Sequence, residues 1–128
     1  MLRMKVFRHI FKFHGLIESF KFAKLGIFYL FLYHRNMRVI FMLGILAFLF
    51  GIHYHLKGIE LVILCITITL VFMAEIFNTA IEMLMNMLTR KYFIRIKLVK
   101  DIAAAVVLLT SLNALAVGYI LFARKIFK

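Results

Sequence analysis

Residues 71–87, VFMAEIFNTAIEMLMNM, are apolar enough to lie in a bilayer, yet they carry Glu75, Asn78, Glu82 and Asn86. The whole chain has only 5 acidic residues, so placing two of them here needs a reason. On a helix, Glu75, Asn78, Thr79 and Glu82 stand at i, i+3, i+4 and i+7 and form one polar stripe; Asn86 extends it by a turn. A charged carboxylate at mid-bilayer costs about 2.5–3.5 kcal/mol. Each Leu, Ile or Phe returns only about 0.3–0.6 kcal/mol. Two glutamates therefore offset much of the insertion energy of this span, less so if they sit near its cytoplasmic end. A packing seam is served by Asn and Thr without negative charge, so the carboxylate pair points to function.

The rest of the chain supports membrane residence. Of 128 residues, 66% are hydrophobic, more apolar surface than a soluble domain of this size could cover. The length leaves room for a few spans and for no separate soluble domain. The formal charge is +12. On a membrane protein such a charge marks anionic lipid headgroups and cytoplasmic flanks, with no nucleic acid implied. Cys65 is the single cysteine and has no partner within the chain for a disulfide; it reads as a small packing hydrophobe.

The apolar runs define an N-terminal segment and three spans, an all-α integral membrane architecture. Residues 1–35 read as an interfacial helix: Val6, Ile10, Phe13, Ile17 and Phe20 recur at helical spacing, with Lys5, Arg8 and Lys12 on another face. Leu25 to Tyr33 is apolar but too short to cross. No small-residue cleavage site follows it, so a removable signal peptide is not expected. The spans fall at about 38–56, 59–88 and 101–123. Gly51 and Gly58 are the expected breakers around the first turn. Asp101 suits the start of the third helix, where its carboxylate meets exposed amides. His53 and His55 flank Tyr54 at interface height, and Asn113 reads as interhelical glue.

Lysine and arginine set the expected orientation. The segment before the first span carries eight bases from Arg3 to Arg38. The first turn has only Lys57, and the second has Arg90, Lys91, Arg95, Lys97 and Lys100. The N-terminus and the second turn are therefore expected in the cytoplasm, the chain lying in the cytoplasmic (inner) membrane. Arg124, Lys125 and Lys128 then fall outside, against the rule.

A carboxylate pair beside an amide and close to a basic turn suits a metal–phosphate site. Mg²⁺ takes oxygen ligands, commonly one or two carboxylates plus substrate phosphates. The bases of the turn, Lys100 among them, can face phosphate oxygens, and phosphoryl transfer asks a protein mainly for positioning and charge neutralisation.

AEIFNTAIEMLMNM, followed by LVKDIAAAVVLL, resembles the prokaryotic diacylglycerol kinase family, which includes undecaprenol kinases. The family pattern is Glu-x-x-Asn-Thr-Ala-Ile-Glu, an Asp four residues later and a Lys-Asp pair fourteen beyond that. Here it is met by Glu75, Asn78-Thr79-Ala80-Ile81, Glu82 and Lys100-Asp101. SFKFAKLGI (19–27) and RNMR (35–38) match the N-terminal portion more loosely, so the resemblance runs from about residue 19 onward.

The resemblance implies an ATP-dependent lipid kinase, a homotrimer of three-span chains with an N-terminal surface helix. It implies Glu75 as general base for the lipid hydroxyl and Glu82 as ligand to Mg²⁺ and nucleotide. Lys100 and Asp101 would contact the nucleotide and Asn78 would support the site. The chain departs from the pattern at three places. His34 stands where a metal-binding Glu is usual, Asn86 replaces the Asp, and Tyr92-Phe93 replaces a Tyr-His pair. Of the two metal positions, Glu82 and His34, only the first keeps its carboxylate. Arg90 and Lys91 add charge that can neutralise phosphate. A catalytically degenerate member acting as a non-enzymatic lipid-binding protein is the alternative, and a small transporter a third possibility.

Overall fold

The computed structural model describes residues 14–88 and 94–127. They form four helices: α1 (His14–Tyr33), α2 (Arg35–His53), α3 (Ile59–Leu88) and α4 (Ile94–Ile126). The last three are long and apolar enough to cross a membrane. The chain divides into two compact units, Met1–Arg35 and Asn36–Lys128.

In the first unit, the residues carrying most of the expected amphipathic pattern, 5–13, lie outside the described ones. Within α1, Leu16, Ile17, Phe20, Phe22, Leu25 and Phe28 are exposed, and their spacing spreads them over about two thirds of the cylinder. The described part of α1 is thus apolar on several sides rather than along one stripe. The helix ends at Tyr33, and the amide of His34 makes one last bond to the Leu30 carbonyl at 2.9 Å.

In the second unit, the end of α2 is set by His55 rather than by Gly51. The His55 amide donates to the Ile52 carbonyl at 3.1 Å and the Leu56 amide to the Gly51 carbonyl at 2.9 Å. His55 itself has φ +62°. This bond pair around one left-handed residue is the Schellman ending, usually built on glycine. Gly51 lies inside α2 and is buried. A Cβ there would come within 2.7 Å of Leu64 Cδ2, and at Gly44 within 3.0 Å of Ile68 Cγ2. Gly51 therefore serves close approach to α3, not the break expected from the sequence. Gly58, with φ +62°, does stand at the break before α3.

Leu56, buried just after the cap, joins Leu64 and Leu121 in the core, with Leu61, Ile68, Val117 and Phe122 packed against them. Tyr54 meets Phe122 edge-on at 6.1 Å. Along their length α3 and α4 run antiparallel, tied at both ends. Glu60 in the first turn of α3 lies 3.7 Å from Lys125 in the last turn of α4, and Lys100 donates to Asn86 at 2.7 Å. That register sets Glu82 level with residues 103–104, in the run Ala103-Ala104-Ala105, and Glu75 level with Thr110 and Ser111. The hydroxyls of Thr67, Thr69 and Thr110 bond back to carbonyls three or four residues earlier, which satisfies them without a partner helix.

Helix α4 begins at Ile94, before the expected start at Asp101. Asp101 therefore does not cap the helix; it sits past the first turn, accepting from Lys97 at 2.7 Å. Lys97 at i and Asp101 at i+4 give the helix an internal pair that stabilises it without an end to neutralise.

Candidate active site

Helix α3 passes unbroken through the polar stripe, so Glu75 and Glu82 stand on one face about 10 Å apart along the axis at 1.5 Å per residue. Their surroundings differ sharply. Glu75 and Thr79 are each 5% exposed, Asn78 is half-buried, and Glu82 and Asn86 are open. The stripe thus leads from an enclosed carboxylate to an accessible one within two turns. The enclosed carboxylate stands away from bulk surroundings, 5% exposed. The open one can meet a cation or a polar ligand without further desolvation of the protein.

Lys100 enters at the open end. Its Nζ donates to Asn86 Oδ1 at 2.7 Å, across the hairpin from α4 to α3. The base is therefore held one turn beyond Glu82 on the same stripe. Asp101, the neighbour in the Lys-Asp pair, is engaged with Lys97, and both are more than half exposed. The two members of the pair thus have different partners, one on each helix.

Of the remaining expected site residues, His34 occupies the break between α1 and α2, half-buried, with its ring 6.1 Å from that of Tyr29. Arg90 and Lys91 lie outside the described residues. Among the described residues no three His, Cys, Asp or Glu side chains come together to hold a metal ion. Glu82 offers a hard, accessible oxygen donor, the type Mg²⁺ selects. Such a donor set suits an ion that brings most of its ligands with a phosphate-bearing substrate.

Sequence reasoning gave Asn86 as an extension of the stripe and as a missing acid, and did not find it as the partner of Lys100. The signal was present: Asn86 continues the stripe, and Lys100 follows across a short hairpin that brings the two helices side by side.

A sequence model of the family described as prokaryotic diacylglycerol kinase matches residues 21–122. The chain belongs to this family. The match takes in most of α1, all of α2 and α3, and most of α4. The diacylglycerol kinase of Synechocystis sp. is 34% identical over 105 residues, which is 81% of this chain. The chain spans 60% of that relative's length. Membership of the prokaryotic diacylglycerol kinase family and three helices able to cross a bilayer agree on a membrane protein.

Proposed function

We propose that this chain transfers the γ-phosphate of ATP, with Mg²⁺, to the hydroxyl of a membrane lipid, diacylglycerol or undecaprenol. The observation that supports it most is the contrast between buried Glu75 and open Glu82 on one helix face. Glu75 takes the proton of the lipid hydroxyl as its oxygen attacks the γ-phosphorus, and the bond to the bridging oxygen of ADP breaks. The same oxygen-donor chemistry gives Glu82 to the metal and nucleotide, Mg²⁺ supplying neutralisation of phosphate charge. Lys100, Asp101, Arg90 and Lys91 serve the nucleotide, Asn78 supports the site, and His34 is the second metal position.

The working form is a homotrimer in the inner membrane with the N-terminus in the cytoplasm, its bases meeting anionic headgroups. Three helices enclose a polar stripe poorly, and the apolar surface left open on α2, α3 and α4 is large. A non-catalytic lipid-binding role is the second reading. It is favoured by His34 and Asn86, which stand where the family pattern has carboxylates. Labelled ATP with the purified protein, assayed against diacylglycerol and undecaprenol in parallel, separates the two. Label in either lipid supports the kinase; none in both, with intact protein, leaves the second reading.

A further inference from the structure

Lys100 carries three N–H donors, and Asn86 Oδ1 takes one of them at 2.7 Å. The acceptor is a neutral amide, so the charge on Lys100 is steered without being neutralised. One turn earlier the opposite holds: Lys97 lies 2.7 Å from the Asp101 carboxylate, an ion pair that matches its charge. Of two lysines three residues apart on α4, one is charge-paired and the other is aimed at the stripe with its charge intact. Asn86 belongs to α3 and Lys100 to α4, so the bond also fixes the base relative to Glu82, one turn away on the same helix as Asn86.

We propose that Asn86 is a positioning residue for Lys100: it holds the ammonium beside the open end of the Glu75–Glu82 stripe while leaving two donors and the full charge for phosphate oxygens. This rests on the lipid-kinase reading, in which Lys100 meets the nucleotide. A carboxylate at position 86 would hold Lys100 equally well but would compete with the phosphates for it. The neutral residue in this chain is therefore a device for phosphate affinity rather than a lesion. Asn86 touches neither substrate nor metal in this role; it acts through Lys100.

The test uses the full-length protein in lipid bilayers, with N86A and N86D beside the wild type. Three quantities are read: binding of a fluorescent ATP analogue with Mg²⁺, KM for ATP against kcat, and the melting temperature. N86A should weaken analogue binding and raise KM for ATP by roughly tenfold or more, the loss of one hydrogen bond to a charged group. Its kcat should stay within about twofold of wild type, since the general base is untouched. N86D should also raise KM for ATP, and added salt should narrow its gap to wild type, because the competing ion pair is screened. Wild-type binding and KM in both variants would overturn the proposal and leave the kinase reading standing. A lowered melting temperature with unchanged KM would also overturn it, since that marks a structural tie only. Absence of both ATP binding and turnover in the wild type would overturn the kinase reading itself, and this proposal with it.

Discussion

Glu75 and Glu82 share one face of α3 two turns apart, the first 5% exposed and the second open to its surroundings. The same functional group is thus placed in two environments suited to two tasks. Glu75→Gln keeps the shape and removes the basicity. Turnover of lipid should fall by about 10²–10⁴-fold, the usual contribution of a general base, with nucleotide binding retained. Glu82→Gln should do the reverse, weakening Mg²⁺-dependent nucleotide binding first. Kinetics with ATP and lipid varied separately check both; full activity in a folded Glu75→Gln protein removes Glu75 from its role.

At position 34 the expected carboxylate is an imidazole. Mg²⁺ prefers hard oxygen ligands, whereas Mn²⁺ accepts nitrogen more readily. On the lipid-kinase reading, phosphorylation should therefore need high Mg²⁺ and proceed better with Mn²⁺. His34→Glu should lower the half-saturating Mg²⁺ concentration and raise turnover at limiting Mg²⁺. A Mg²⁺ titration of lipid phosphorylation for both forms is the measurement. Superimposable curves in an active enzyme would show that residue 34 does not serve the metal.

The ending of α2 bears on stability. His55 adopts φ +62°, a conformation that costs a residue with a Cβ roughly 1–2 kcal/mol. His55→Gly should relieve part of this and raise the melting temperature, by an amount worth up to about 1 kcal/mol. His55→Val should lower it, being β-branched at positive φ. Gly58→Ala should also lower it by about 1 kcal/mol: a Cβ would meet nothing within 4 Å, but φ is +62° there too. Thermal unfolding in a single detergent, monitored by helicity, ranks the three variants.

The bases in the two turns predict an orientation. In a Cys65→Ala background, a cysteine at position 57 should react with a membrane-impermeant reagent on intact cells, and one at position 91 should not. The reversed pattern would move the second turn away from cytoplasmic ATP and with it the proposed chemistry.

The helices were legible because apolar runs of this length admit few readings, and α3 falls on residues 59–88 as the hydropathy indicates. The stripe was legible because helical periodicity places four polar side chains on one face whatever surrounds them. The helix ends were less so. Asp101 looked like a cap by residue type, but the basic segment 94–100 is itself helical, and Lys97 supplies the partner a cap would not need. Gly51 looked like a breaker because glycine is usually read as freedom, whereas here it is room for Leu64. The true turn residue, His55, carries no such signature; its φ is imposed by the paired bonds to Ile52 and Gly51 and by burial of Leu56. Burial of Glu75 and the reach of Lys100 depend on neighbouring helices, which periodicity cannot supply.

The Glu60–Lys125 contact has a consequence for biosynthesis. Glu60 opens α3 and Lys125 closes α4, so the carboxylate waits several seconds for its base at a synthesis rate of about 5–20 residues per second. By the time Lys125 is made, the helices before it are already synthesised, and the base meets a carboxylate waiting in the first turn of α3. The late basic residue thereby closes a hairpin whose other helix is already complete.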